Sequence, residues 1–319
     1  MERLIAKGGH PPATPRAGLP LVFGGAPIGG LYEPVSDVDA AATLAAAWDA
    51  GIRAFDTAPH YGVGLSEHRL GDFLAGRPRS EFAICTKVGR RLVPAAGPVE
   101  GVDEFYGTPA LSRVRDYSAD GVRKCLEDSL RRLRLDRVDI ALIHDPDDFM
   151  PQALDSAYPA LAGLRAADVV GAIGVGMNAA APLAWFVSRA DLDCVLVAGR
   201  YSLLDTSAAD ELLPLCADRG VKVLAGGVFN SGILADPRDG AHYDYAPAPA
   251  EVLARARRIR DTCAAYGVPV GAAALRFALR HPAVTAAVVG ARSAAEITID
   301  ASYLILDIPD ELFAALATV

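Results

Sequence analysis

Four side chains that can exchange protons follow three consecutive predicted strands. Asp56 and Tyr61 lie in the turn after the strand Ile52–Phe55, Lys87 ends the next strand, and His144 follows the one after that. A phenol with a reference pKa of about 10 is a poor acid or base near neutral pH, and a nearby ammonium lowers that pKa. A carboxylate keeps the lysine charged, and a histidine orients a substrate oxygen or relays its proton. Together these groups indicate hydride transfer to or from a carbonyl, given a cofactor.

Each of the four residues also has an ordinary structural interpretation. Asp56 could cap a strand end, Lys87 could be a solvated strand terminus, and His144 could be a histidine with satisfied hydrogen bonds. Tyr61 could simply pack against the rim of the fold. The occurrence of all four at neighbouring strand ends is much rarer by chance, which favours the catalytic interpretation.

Short apolar strands alternate with helices and must position these residues. We predict eight strands, near residues 22, 53, 84, 141, 172, 196, 223 and 287, each followed by at least one helix. The alternation indicates a parallel sheet, and eight units in 319 residues indicate an α/β fold of the closed (β/α)8 TIM-barrel type. A doubly wound open sheet is the alternative, although no GxGxxG motif follows the first strand. We expect one domain over residues 1–319, with a loose terminus or short hairpin at residues 1–18.

Two segments are longer than ordinary connections. They span about Gly89–Tyr117, which we expect to be irregular, and Gly226–Pro249. Both follow predicted strands, so both are expected on the C-terminal face of the barrel, where long loops usually cover a binding site.

The composition narrows the classes of partner. The net charge of −8 and the pI near 5.3 argue against nucleic acid or an anionic membrane as the main partner. The five cysteines are scattered without a CxxC pair, which is typical of buried thiols in a reducing compartment. The sequence shows no secretory signal and no apolar run of about 20 residues, so we expect a cytoplasmic protein. We expect an enzyme that acts on a small-molecule substrate and binds no metal. A monomer and a small homo-oligomer both remain open.

Three motifs resemble, in order, those of the aldo-keto reductase family. They are FDTAPHYG followed by GLSE after the second strand, KVG after the third and LIHDPD after the fourth. The resemblance covers nearly the whole chain. It implies a catalytic tetrad of Asp56, Tyr61, Lys87 and His144, with Tyr61 as general acid in reduction and general base in oxidation.

The resemblance also implies a nicotinamide cofactor. Asn178 matches the asparagine that binds the carboxamide, although Met177 stands where the family usually has a serine. Ala198 and Gly226 stand where the family often has a glutamine and a stacking aromatic residue. The other residues implied to hold the cofactor are Gly25 and Ala26 after the first strand, Phe229, Asn230, Ser231, Gly232 and Leu234 around the pyrophosphate, and Gly290, Arg292, Glu296 and Asp300 after the last strand.

The residues after the last strand bear on the choice between NAD and NADP. Members of the family that use NADP usually place basic residues here, where Glu296 stands in this chain. A carboxylate disfavours the 2′-phosphate and can accept a hydrogen bond from a ribose hydroxyl instead. We therefore expect NAD, while Arg292 leaves NADP open and Glu296 could also be a solvated helix residue.

Longer stretches resemble one branch of the family, which contains aldose and galactose dehydrogenases and pyridoxal 4-dehydrogenase. They include VFGGAPIGGLY, EFYGTPALSRVRDYSADGV, GVGMN and VFNSGIL. The resemblance implies NAD(P)-dependent oxidation of a cyclic hemiacetal to its lactone, with Tyr61, its proton affinity lowered by Lys87, removing the hydroxyl proton. His60, Phe105 and Tyr106 are the expected substrate contacts. The alternatives are an NADPH-dependent aldehyde or ketone reductase, a pyridoxal 4-dehydrogenase and a non-catalytic, nucleotide-binding regulatory subunit.

Overall fold

The strands form a barrel and two hairpins. A computed structural model describes residues 19–97 and 99–319, so the expectation for residues 1–18 lies outside the described residues. The barrel strands are β1 (Leu21–Gly24), β2 (Ala54–Asp56), β3 (Ala83–Val88), β6 (Val138–His144), β7 (Val170–Met177), β8 (Cys194–Ala198), β9 (Lys222–Gly226) and β12 (Val284–Gly290). The hairpin strands are β4 (Arg90–Pro94), β5 (Leu111–Arg115), β10 (His242–Tyr243) and β11 (Ala246–Pro247).

Within these residues the eight barrel strands run parallel and close on themselves. Their order is β1, β2, β3, β6, β7, β8, β9 and β12, and β12 pairs with β1 again. The predicted (β/α)8 barrel is therefore confirmed. Every residue of β3 and β6 is buried, as expected for parallel strands that are covered on both faces.

Helices surround the barrel. They are α1 (Asp37–Asp49), α2 (Leu65–Leu74), α3 (Ala119–Leu133), α4 (Met150–Gln152), α5 (Tyr158–Ala166), α6 (Ala180–Arg189), α7 (Leu212–Arg219), α8 (Ala250–Ala265), α9 (Val270–Ala278), α10 (Ala294–Ser302) and α11 (Asp310–Leu316). A π-helical turn joins α4 to α5. Serine hydroxyls cap the starts of α1, α3 and α10: Ser36 accepts from the N–H of Asp39, Ser118 from that of Gly121, and Ser293 from that of Glu296. No helix in the described ranges is long and apolar enough to cross a membrane.

The core has two layers. Apolar residues from all eight barrel strands fill the interior: Val22, Ala54, Cys85, Ile140, Leu142, Ala172, Cys194, Leu196, Leu224, Ala286 and Val288. A larger cluster lies between the strands and the helices and includes Phe23, Phe55 and Phe186. Because the interior is filled with side chains, only the ends of the barrel offer space for a site.

Both long segments contain a hairpin, which corrects the expectation for the first of them. The first was expected to be irregular, but β4 and β5 pair antiparallel in it from Arg90 opposite Arg115 to Pro94 opposite Leu111. The second contains the small β10–β11 hairpin, which an ion pair of 2.7 Å between Arg200 Nη2 and Asp244 Oδ2 fastens to the rim. Both segments follow the C-terminal ends of barrel strands, as predicted.

Candidate active site

The four predicted catalytic residues meet at the C-terminal ends of β2, β3 and β6. The ammonium of Lys87 donates to both carboxylate oxygens of Asp56, at 2.9 and 2.7 Å, and to the carbonyl of Thr57 at 3.0 Å. It also lies 3.0 Å from the phenol oxygen of Tyr61. The ring of His144 stands edge-on to the ring of Tyr61, with 5.9 Å between the centroids. Because β3 pairs with both β2 and β6, the barrel register itself brings these groups together.

Burial and charge set the protonation of Lys87 and Tyr61 in opposite ways. Burial acts to lower the pKa of Lys87, but the paired carboxylate of Asp56 outweighs it, so the net pKa is raised and the amine stays charged. Burial raises the pKa of Tyr61 to about 12, although the Lys87 charge acts to lower it. Lys87 therefore acts on the pKa of Tyr61 in the predicted direction, but desolvation is the larger effect and the net pKa is raised.

The two histidines at the site are neutral near physiological pH. Burial, followed by the positive charge of Arg90, holds the pKa of His144 well below its usual range. The same two causes lower the pKa of His60 to about 2. His144 can therefore orient or hydrogen-bond a substrate oxygen, and it brings no positive charge.

Close backbone contacts fix the turn that carries Tyr61. A β-carbon added to Gly29 would lie 2.8 Å from the carbonyl carbon of Tyr61, and one added to Gly62 would collide with the Gly29 carbonyl. The hydroxyls of Thr57 and Ser66 lie 2.8 Å apart and join the two ends of the turn. The absence of side chains at the two glycines lets the loop after β1 press directly against the catalytic turn.

Tyr117 supports His144 and was not predicted as a site residue. Its buried hydroxyl lies 2.7 Å from the carbonyl oxygen of His144 and 2.8 Å from that of Asp145, and it donates to these acceptors. Gly89 makes room for the ring, since its φ is +101° and an added β-carbon would clash with Tyr117. Tyr117 thereby fixes the backbone that presents the imidazole.

Arg90, Arg113 and Asp145 also surround the site. From the sequence, Arg90 was one of several charged and aromatic residues of the first long segment that could bind sugar hydroxyls or form only a polar lid, whereas Arg113 and Asp145 were not predicted as site residues. Arg90 Nη2 lies 2.7 Å from Asp145 Oδ2. Arg113 donates through Nη2 to the carbonyl of His60 at 2.9 Å. Their positions in the sequence could have indicated a place at the site, because Arg90 comes directly after the KVG motif and Asp145 directly after His144.

Two of the three expected substrate contacts lie at the pocket. The ring of Phe105 lies nearly parallel to that of Tyr61, 6.3 Å between centroids, and 5.3 Å from the ring of His60. The structure places Tyr106 farther out. Its N–H donates to the carbonyl of Gly30 at 3.0 Å, and its ring packs near Gly101. Tyr106 therefore connects the long segment to the loop after β1.

The loop after β9 is where the cofactor pyrophosphate is expected. Asn230, Ser231 and Gly232 have φ values of +45°, +60° and +92°, so the backbone curves sharply here, and the N–H groups of Asn230 and Gly232 donate to the carbonyls of Gly227 and Phe229. Asn230 donates to the carbonyl of Gly199 at 3.2 Å, while its buried Oδ1 has no partner among the described residues. This orphaned acceptor and the curved backbone fit a bound cofactor with amide and hydroxyl donors.

The remaining residues predicted at the cofactor differ in their surroundings. Asn178 is exposed at the end of β7, and Ala26 and Phe229 are half-buried. A β-carbon on Gly25 would lie 2.5 Å from the hydroxyl of Ser66, and one on Gly290 would lie 2.7 Å from the ring of Pro27, so packing alone explains both glycines. Leu234 is fully buried in the apolar cluster beneath α8 and α9.

Glu296 and Asp300 occupy the first turns of α10. The Glu296 carboxylate accepts from the N–H of Arg292 at 2.9 Å, while the hydroxyl of Ser293 accepts from the N–H of Glu296 at 3.2 Å. This is a reciprocal cap of the helix start. The Arg292 guanidinium lies 2.8 Å from Glu33. Burial, and then the charge of Glu296, raise the pKa of the Asp300 carboxyl to about 7.

Among residues 19–97 and 99–319, no group of three or more His, Cys, Asp or Glu side chains is placed to hold a metal ion. The polar side chains that meet at the barrel mouth include the amine of Lys87, the phenol of Tyr61, the carboxylate of Asp56 and the imidazole of His144.

Similar proteins include two dehydrogenases and a solved structure. The model of the Aldo/keto reductase family matches residues 20–319. The chain is 44% identical over 316 residues to a D-threo-aldose 1-dehydrogenase of Pseudomonas sp, with 96% of each chain covered. It is 43% identical over 327 residues to a pyridoxal 4-dehydrogenase of Microbacterium luteolum, with 95% of each covered. A glycerol dehydrogenase structure from Gluconobacter oxydans matches with a TM-score of 0.76 and 26% identity, over 96% of this chain and 93% of that one.

Proposed function

Because the chain belongs to the aldo/keto reductase family and is an NAD(P)-dependent oxidoreductase, we propose that it oxidises the cyclic hemiacetal form of an aldose to the lactone. The observation that carries the proposal is the contact of 3.0 Å between Lys87 Nζ and the phenol of Tyr61 beside His144. The names of the two similar dehydrogenases support the substrate class, since pyridoxal also forms a cyclic hemiacetal.

Each residue at the barrel mouth has a separate role in the proposed reaction. When bound, an oxidised nicotinamide dinucleotide supplies the hydride acceptor and a positive charge. Tyr61, as phenolate, accepts the proton of the anomeric hydroxyl while the C–H bond at the same carbon gives up its hydride. Lys87 stabilises that phenolate at 3.0 Å, and Asp56 keeps Lys87 charged. The neutral imidazole of His144 orients the reacting oxygen. In reduction the same groups act in reverse, with Tyr61 as the acid.

We propose NAD as the preferred cofactor. The carboxylate of Glu296 and that of Glu33 both face Arg292, at 3.8 and 2.8 Å from its guanidinium nitrogens. A 2′-phosphate in this region would have to displace these carboxylates and would be repelled by them. The ribose hydroxyls of NAD carry no such charge.

A substrate panel tests the proposal. Aldoses, pyridoxal and simple aldehydes are each offered with NAD and with NADP, and nicotinamide absorbance is followed in both directions. Oxidation of one or more aldoses with NAD, with the lactone identified as product, is the expected result. Turnover limited to aldehyde reduction with NADPH would overturn the proposal, and oxidation of pyridoxal alone would move it to a pyridoxal dehydrogenase.

We also propose that the enzyme works in the cytoplasm. All five cysteines lie within the described residues and are buried with free thiols, which is the usual state in a reducing compartment. The partner expected in solution is the small-molecule substrate.

A further inference from the structure

An ion pair lies beside the two histidines of the catalytic pocket. Arg90 Nη2 lies 2.7 Å from Asp145 Oδ2, and the two side chains are 14% and 21% exposed. The same carboxylate oxygen lies 3.5 Å from His144 Nε2. Arg90 Nη1 lies 3.3 Å from His60 Nδ1. The pair therefore touches both histidines that flank Tyr61.

The backbone holds Asp145 in an unfavourable conformation. Its φ of +42° lies in the left-handed region, which residues other than glycine rarely adopt. Its N–H donates to the carbonyl of Gly176 at 2.9 Å, and its own carbonyl accepts from the Tyr117 hydroxyl at 2.8 Å. Two fixed hydrogen bonds therefore impose this conformation and aim the carboxylate at the pocket. Strain that is imposed in this way is typical of functional sites.

Two guanidinium groups of the pocket wall are each paired with a carboxylate. Arg90 is matched by Asp145, and Arg113 lies 3.4 Å from Asp103. An anionic substrate would meet one carboxylate for each guanidinium. Within the described residues, the short contacts of the Asp145 carboxylate run through Oδ2, which leaves Oδ1 to accept. A neutral ligand whose hydroxyl groups both donate and accept matches this wall.

We propose that Arg90 and Asp145 recognise two neighbouring hydroxyl groups of the sugar ring and so select polyhydroxylated hemiacetals over simple ones. This inference rests on the proposed hemiacetal oxidation. One hydroxyl donates to Asp145 Oδ1, and its neighbour accepts from an Nη group of Arg90. Because both side chains also contact the histidines, the Arg90–Asp145 pair that binds the distal ring hydroxyls also lies beside the reacting carbon.

A second ion pair on the same hairpin provides a matched comparison. Arg115 stands directly opposite Arg90 in the β4–β5 register and lies 2.7 Å from Asp148. Its side chain and that of Asp148 are 45% and 75% exposed. If ion pairs here only dock the hairpin on the turn after β6, the two pairs are equivalent. If the inner pair binds hydroxyls, only the inner pair affects substrate choice.

The experiment compares two substrates in four variants. The substrates are an aldopyranose that the wild type oxidises and 2-hydroxytetrahydropyran, a cyclic hemiacetal that lacks the other ring hydroxyls. The inner variants are Asp145→Asn and Arg90→Gln, and the outer controls are Asp148→Asn and Arg115→Gln. Circular dichroism and thermal unfolding check the fold of each. The measured quantity is the ratio of kcat/KM for the sugar to kcat/KM for 2-hydroxytetrahydropyran.

Each inner variant is expected to lower this ratio by about 10- to 100-fold, the loss associated with a charged hydrogen bond. The outer variants are expected to leave it unchanged. Equal losses of kcat/KM for both substrates would show that the ion pair only supports His144. An unchanged kcat/KM for both substrates would show that the pair does not bind the sugar. Either result overturns the inference.

Should an inner variant fail to fold, monodeoxy sugars are used with the wild type. A single deoxy position that loses about tenfold supports a hydroxyl contact, and uniform rates across the series overturn it.

Failure of the proposed function gives a different result. In that case the wild type turns over neither the sugar nor 2-hydroxytetrahydropyran, and the inference falls with the function on which it rests. A wild type that oxidises both substrates equally well leaves the function standing and overturns the inference alone.

Discussion

The ammonium of Lys87 and the phenol of Tyr61 lie 3.0 Å apart, yet the phenol remains a weaker acid than free tyrosine. Burial raises the pKa of Tyr61 to about 12 despite the adjacent charge. His144 cannot act as a charged group near neutral pH, because burial and Arg90 lower its pKa. Oxidation and reduction must therefore respond to pH in different ways.

Oxidation should accelerate with pH because it requires the phenolate. The logarithm of kcat/KM for oxidation is expected to rise by about 1 per pH unit between about pH 6 and pH 9. Titration of His144 is not expected to change the slope in this range. Reduction, which uses the protonated phenol, should stay flat over the same range. Steady-state rates in both directions at saturating cofactor test this. A plateau in oxidation centred near pH 7 would show that another group is the base.

Tyr61→Phe removes the acid–base hydroxyl and keeps the ring that stacks near Phe105. We expect kcat/KM to fall by about 10²- to 10⁴-fold, the usual contribution of general acid–base catalysis, with cofactor binding retained. Rates and fluorescence titration with the cofactor measure the two effects separately. Tyr266→Phe, at an exposed position, is the control and should behave as the wild type. Unaltered turnover in Tyr61→Phe would refute the catalytic assignment.

Tyr117→Phe should lower both stability and activity. The change removes a buried hydroxyl that donates toward the carbonyls of His144 and Asp145. We expect a loss of about 1–3 kcal/mol in the free energy of unfolding, since buried acceptors lose their partner, and a fall in kcat/KM. Urea unfolding and kinetics measure these. In the control Tyr158→Phe, only a more exposed contact of 3.2 Å to the N–H of Asp191 is lost, so the change should be small.

Glu296→Ala should shift cofactor preference toward NADP. Removal of the carboxylate leaves Arg292 opposite Glu33 alone and lessens the repulsion of a 2′-phosphate. We expect the ratio of kcat/KM for NADP to that for NAD to rise by about tenfold, which corresponds to ~1.4 kcal/mol. Glu311→Ala, another acid in the first turn of a helix, serves as the control. An unchanged ratio would leave Glu296 with its capping role only.

Asp300→Asn should flatten the pH dependence of stability. The pKa of Asp300 is raised to about 7 in the folded chain from an ordinary 3.8, so the folded state holds the proton more tightly. Its contribution is fully present below about pH 4 and is lost as the pH rises to about 7. Between pH 5 and pH 8 the wild type should lose about 1–2 kcal/mol more than the variant, a figure reduced from 1.36 kcal/mol per pKa unit for residual solvation.

Urea unfolding of both proteins at pH 5 and pH 8 measures that difference. Asp307→Asn, at an exposed position near the end of the chain, should follow the wild type. Equal pH dependence in the wild type and Asp300→Asn would show that water reaches this carboxyl in the folded state.

The barrel could be predicted because its strands leave a strong local signal. Runs such as Val138–His144 are apolar apart from Asp139 and the terminal His144, since both faces of a parallel strand are buried. The residues of the candidate tetrad were found for a related reason. Each lies at or just after a strand end, so sequence position alone fixes its place on the rim.

The hairpin and the second ring of contacts could not be predicted in the same way. β4 and β5 are short and half-exposed, and their pairing spans a connection of 16 residues between Pro94 and Leu111 that carries no tight-turn motif. The pairing of Arg90 with Asp145 depends on two segments 55 positions apart meeting in space. The pKa of Tyr61 depends on how deeply the ring is buried, and the sequence near it reports only the charge of Lys87.

The β4–β5 hairpin has an evolutionary consequence. It begins two residues after Val88, at the end of the strand that carries Lys87, and ends two residues before Tyr117, whose hydroxyl donates to the carbonyl of His144. Residues 91–114 supply none of the four candidate catalytic side chains, so we expect that this segment can be exchanged while Lys87 and His144 stay in place. We expect relatives that differ in this segment to differ in substrate choice. A graft of residues 91–114 between relatives is the natural unit for redesigning what the barrel accepts.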